Sequence, residues 1–139
     1  MEKNNYPSWL IPIDIAKKLK QIGFDEECCF VLVSNDKKVG FTTKHKAQYY
    51  FVDDIDKVNY NKETNICSIP TWEQVFEWFR SKGYESEIIN HYSKDLKCKV
   101  GYRYFIVFNN SETFEDGFYE TYEKTRKELV NKLIEFYNE

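Results

Sequence analysis

Apolar residues recur along this chain with two different periods, and the elements change where the period changes. From Pro12 to Ile22, Ile13, Ala16, Leu19 and Ile22 return every third residue, while Lys17, Lys18, Lys20 and Gln21 fill the other face. That spacing predicts a helix with one buried side. Pro12 suits a first helical turn, where its missing N–H is not needed. Gly23 followed by Phe24 predicts the stop, a left-handed residue and then an apolar one folding back on the last turn. A second helix is predicted over Thr71–Lys82. There Thr71 and Gln74 are spaced as a capping box, and Trp72, Val75, Phe76 and Phe79 form a stripe with Trp78 on its flank. Gly83-Tyr84 repeats the Gly-aromatic stop. A third helix is predicted over Thr121–Tyr137, with Tyr122, Leu129, Val130, Leu133, Ile134, Phe136 and Tyr137 on its apolar side.

Strand signals lie between these helices. Cys28–Ser34 is apolar and β-branched, Asn35-Asp36 is turn chemistry, and Lys38–Thr43 is a second run; Ala47–Val52 reads as a third. Asp53–Ser68 is polar and reads as a long loop with room for one short strand. Ser86–Tyr92 and Lys99–Phe108 read as a hairpin around Ser93–Lys97, and Asp116–Glu120 as a short edge strand. The expectation is one α+β domain over residues 1–139, an antiparallel sheet with about three helices packed on it, in the order α-ββ(β)-α-ββ(β)-α. Ile11-Pro12 and Ile69-Pro70 each open a helix that closes on Gly-aromatic and leads into a hairpin. A duplication and shared helix start and stop rules both account for that.

Composition supports a packed core. Of 139 residues, 42% are hydrophobic, and eleven Phe, eleven Tyr and three Trp supply most of the bulk. A chain of this length buries roughly two-thirds of its unfolded surface, so it needs no staple. Twenty basic and 23 acidic side chains are interspersed and give a net charge of −3, which offers no electrostatic reason to expect duplex binding. Between Met1 and Asp14 only Trp9–Ile13 is apolar, and Pro12 interrupts it. A secretory segment needs about 7–15 apolar residues and a membrane span about 20. The expectation is therefore a cytoplasmic chain without membrane contact.

Candidate chemistry is sparse. Cys28, Cys29, Cys67 and Cys98 contain no C-x-x-C pair, and His45 and His91 are the only histidines; no metal site is predicted. Asp53-Asp54-x-Asp56 lacks the glycine and the distal glutamate of a calcium loop. The five glycines are scattered, so no phosphate-cradling loop and no cofactor are expected. A nucleophile needs a base oriented by a third group; His45 lies in the Lys-rich turn Lys44-His45-Lys46, which offers no partner, and His91 lies in a strand pattern beside Tyr92. The most suggestive run is Lys99–Phe108. As a strand it puts Tyr102, Tyr104, Ile106 and Phe108 on one face and Arg103, Phe105 and Val107 on the other. Aromatics beside Arg on an open sheet stack nucleic-acid bases, but the run departs from the RNP1 pattern at Arg103, and a core strand needs such a face as well.

Ala16-x-x-Leu19-Lys20-x-x-Gly23-Phe24, then Pro70-Thr71-x-x-x-Val75-x-x-Trp78-Phe79-Arg80-x-Lys82, then Thr121-Tyr122-Glu123 resembles a group of small uncharacterised proteins of phages and prophages of gut-dwelling anaerobes. Ile69 stands where that group has a small residue, and Thr125 where its last helix often has Ala. The resemblance implies a mobile-element origin and carries no activity. The leading expectation is a non-catalytic interaction protein that binds a host or phage protein, with Trp9, Tyr49, Tyr50 and Trp78 as contact residues, and with self-association as a variant. A second reading is nucleic-acid contact through Tyr102, Arg103, Tyr104, Lys37 and Lys38. A third is an enzyme without a recognisable motif.

Overall fold

The computed structural model describes residues 7–33, 38–41, 61, 66–108 and 112–139. The predicted strand Ala47–Val52, with Tyr49 and Tyr50, lies outside them, as do Lys37, His45 and Asp53–Asp56. The described elements run α1 (Ile13–Gln21), β1 (Phe30–Val33), β2 (Lys38–Phe41), β3 (Ile66–Ile69), α2 (Trp72–Ser81), β4 (Tyr84–Tyr92), β5 (Lys99–Phe108), β6 (Glu112–Tyr119) and α3 (Tyr122–Tyr137). This is the expected α+β order. Two features are finer than expected. The strands form two three-stranded antiparallel sheets rather than one, and the chain divides into two compact units, Met1–Val75 and Phe76–Glu139, with the division falling inside α2.

In the first unit β1 is the central strand, between β2 and β3. Val31 and Leu32, which point to opposite sides, are both buried, and so are Cys67, Ser68 and Ile69 of β3. A strand buried on both faces has no reason to alternate, which is why Cys28–Val33 reads as a continuous apolar run. α1 packs against β3 with Ile15, Ala16 and Leu19 inward. Its stop is the predicted one: Gly23 sits at φ +92, its N–H donates to Lys20 O, and the N–H of buried Phe24 donates to Leu19 O at 3.0 Å. Asn61 ties this corner to the sheet. Its Nδ2 donates to Phe24 O at 2.8 Å, and its Oδ1 accepts from the Ser68 N–H at 2.9 Å.

α2 opens on the capping box. Thr71 N–H donates to Gln74 Oε1 at 2.9 Å, and Gln74 N–H to Thr71 Oγ1 at 3.2 Å. The side chain of Gln74 also donates to Glu27 O at 3.0 Å.

The second unit is a β4-β5-β6 meander with α3 across it. The register puts Tyr84, Ser86 and Ile88 of β4 and Phe114 of β6 on the same side as Tyr104, Ile106 and Phe108. That side meets α3, where Phe136 packs on Phe108 and Phe114 and Leu129, Val130 and Leu133 are buried. α3 begins at the cap Thr121, whose Oγ1 accepts from Lys124 N–H. Buried Thr125 satisfies its hydroxyl by donating to Thr121 O at 2.7 Å.

Strand order argues against a simple duplication, since β1 is central in the first sheet while the second strand of the meander, β5, is central in the other. β6 starts four residues earlier than expected because an edge strand keeps most of its side chains in water, so Glu112–Glu115 looks like loop.

Gly101 marks a close backbone approach. A Cβ there would lie 2.5 Å from Tyr119 O and 2.5 Å from the Phe118 ring. Gly101→Ala is expected to lower stability by about 1–3 kcal/mol in urea unfolding. Glu85→Ala, on an exposed position of β4, should change it by less than about 0.5 kcal/mol.

Candidate functional site

A polar cluster lies where β6 bulges against β5. The register slips between the Tyr102–Tyr119 and Tyr104–Asp116 pairs, with Gly117 at φ +108 in the slip. Asp116 Oδ2 accepts from both Tyr104 and Tyr119 hydroxyls at 3.3 Å, and its Oδ1 accepts from Gly117 N–H at 2.7 Å. The two rings stack at 6.2 Å. Burial, with the Asp116 charge adding to it, pushes the Tyr104 phenol far above its ordinary value. The same causes raise Tyr119. A phenol held neutral while donating to a carboxylate is neither a base nor a nucleophile near neutral pH. The cluster pins the bulge and satisfies its own polar atoms.

Thiols and metal-ligating groups offer little more. Cys28 and Cys67 are buried, and burial pushes the Cys67 thiol up against the pull of Lys20 and Lys17. Cys98 is exposed. Among the described residues no three His, Cys, Asp or Glu side chains are grouped to share a metal ion.

The predicted contact residues separate. Trp9 is 51% exposed, and its ring meets Phe30 edge-on at 5.2 Å. Trp78 is 2% exposed, packed by Phe79 and Tyr137 at 5.1 and 5.0 Å. It is a core residue, because a flank position 100° from the stripe centre still faces inward when aromatics close over it. Tyr104 is 1% exposed beneath α3, so it cannot stack a base. Arg103 is exposed on the opposite face from Tyr102, so these two residues do not share one surface. Lys38 lies in β2, and its side chain is outside the described set.

Sequence reasoning missed another group. Tyr92, Leu96, Val100, Phe118 and Tyr122 are exposed, and all gather at the end of the second sheet that carries the β4–β5 turn. Tyr92 pairs with Lys99, Phe118 lies against His91 at 5.2 Å, and Tyr122 meets Tyr102 at 5.8 Å. Lys99 Nζ donates to the Tyr102 hydroxyl at 2.7 Å. The available signal was Leu96, a lone aliphatic residue in the polar turn Ser93–Lys99.

The fold thus defines an α+β protein of two small helix-and-sheet units, with no helix among the described residues long and apolar enough to cross a membrane. No protein-family model, curated protein or solved structure matches the chain.

The raised phenols make a signed prediction. Tyr104 binds its proton more tightly in the folded than in the unfolded chain, so its contribution is complete below the unfolded value of about 10. It is lost as pH climbs from there towards the folded value. Stability measured in urea should fall above pH of about 10, and the slope should be shallower in Tyr104→Phe. An unchanged slope would contradict the assignment.

Proposed function

We propose that the chain is a non-catalytic interaction protein of mobile-element origin, acting in the cytoplasm by binding a host or phage protein. Trp9 carries the reading. It is a large side chain held half in water on a backbone fixed from both sides. Leu10 bridges to Thr71, Ile11 N–H donates to Pro70 O at 3.0 Å, and the Trp72 indole N–H donates to Ser8 O at 2.8 Å. A pre-ordered Trp loses little freedom on binding, and Trp is enriched among the residues that dominate interface energetics. The mobile-element part of the proposal rests on the resemblance of the helix motifs alone. The quiet chemistry of the Tyr104–Asp116–Tyr119 cluster favours binding over catalysis.

The test is affinity capture of the tagged chain from host lysate, with nuclease present, by wild type and by Trp9→Ala. We expect one stoichiometric protein that survives nuclease and whose affinity falls roughly 30-fold or more in the variant, the scale of an interface hot spot. Capture unaffected by Trp9→Ala would remove Trp9 from the contact. Recovery only of nuclease-sensitive material would replace a protein partner with nucleic acid.

A further inference from the structure

The turn between β4 and β5 is tightly specified. Ser93 N–H donates to Cys98 O at 2.9 Å and Leu96 N–H to Ser93 O at 2.8 Å. Asp95 Oδ1 accepts from the Ser93 hydroxyl at 2.6 Å and from Lys97 N–H at 3.1 Å. These bonds hold the Asp95 carboxyl below its ordinary value and occupy it within the turn. At the tip sits Leu96, 76% exposed and at φ +59, the one non-glycine residue among those described with positive φ. Gly or Asn adopts that conformation at little cost, and Leu does not. A large apolar side chain is thus held in water, in a strained conformation, with little of its surface packed against its own fold. Strain of this kind points outward, to something the side chain meets.

The surroundings say what. Tyr92 and the Tyr102–Tyr122 pair lie on the helix-covered side of the sheet, and Phe118 with His91 on the other. The apolar groups therefore ring the end of the sheet instead of tiling one face. Lys94, Lys97 and Lys99 flank the tip in sequence and are exposed, Lys99 with its amine on the Tyr102 hydroxyl. At the start of α3, Glu120, Glu123 and Glu128 balance Lys124, Arg126 and Lys127. The tip itself, Ser93–Val100, carries three lysines against Asp95 alone, in a chain of net charge −3.

We propose that the hairpin end inserts end-on into an anionic lipid surface. Leu96 enters deepest, Tyr92 and Phe118 lie at headgroup depth, and the lysines meet the phosphates. A fluid surface closes around a tip and both of its sides, whereas a flat protein partner covers one face. Tyr rings favour the interface, and lysines are drawn to anionic leaflets. The sequence expectation of no membrane contact rested on the lack of a spanning stretch, which a surface contact does not need. The proposal does not depend on the protein contact at Trp9.

The experiment is sedimentation of the full chain with vesicles of phosphatidylglycerol and phosphatidylcholine in equal parts, against phosphatidylcholine alone. We expect the chain to pellet with the anionic vesicles only. Leu96→Gly, which relieves the positive φ and so keeps the fold, should weaken that association ~10-fold or more. Lys94→Glu with Lys97→Glu should abolish it. No pelleting with anionic vesicles overturns the proposal. So does pelleting lost in the lysine variant yet unchanged in Leu96→Gly, because adsorption by charge alone is not insertion. If Leu96→Gly instead impairs capture of a protein while vesicles are ignored, the tip docks into a protein pocket and the lipid assignment is wrong.

Discussion

Burial of the Tyr104–Ile106 stripe of β5 beneath α3 is the contact on which the second unit depends. β5 is the central strand and pairs along its length with β4 and β6. Its alternation decides which side of all three strands faces the helix. Tyr104 and Ile106 are buried, as are Leu129, Val130 and Leu133 of α3. Each aliphatic side chain buried this fully contributes about 1.5–3 kcal/mol. A slip of one residue would turn Arg103, Phe105 and Val107 towards the helix and bury a guanidinium, so the register has no close competitor. The same contact places the middle of the aromatic strand in the core. Its most conspicuous tyrosine is a core residue whose hydroxyl is satisfied by Asp116.

Helix boundaries were legible because they are written locally. The Thr71–Gln74 box and the Gly23-Phe24 and Gly83-Tyr84 stops need only neighbours a few residues away, and nothing tertiary overrides them. The two faces of Lys99–Phe108 were legible for the same reason, since a period of two is a property of the strand itself. β3 was nearly lost because four residues in front of Pro70 give too short a run to display a period. β6 was shortened because an edge strand pairs by its backbone and leaves its side chains polar.

Exposure was much less legible than secondary structure. Trp78 and Trp9 look alike as residue types, yet three-dimensional enclosure buries one and displays the other. Tyr92, Val100, Phe118 and Tyr122 read as ordinary strand and helix residues, because their gathering at one end depends on the β4–β5 turn and on the register slips at Val100 and Gly117. Leu96 offered a signal that the sequence reading passed over. An aliphatic residue between Lys94-Asp95 and Lys97 contradicts the composition of a turn.

Amide hydrogen exchange followed by NMR tests the central claim most directly. If β5 is the strand around which the second unit is organised, the amides of Tyr104–Val107 and of Leu129–Ile134 should be the slowest there and should share one opening free energy, with those of the Ser93–Cys98 turn exchanging fast. Amides of Tyr104–Val107 exchanging as fast as the turn, or independently of α3, would contradict it.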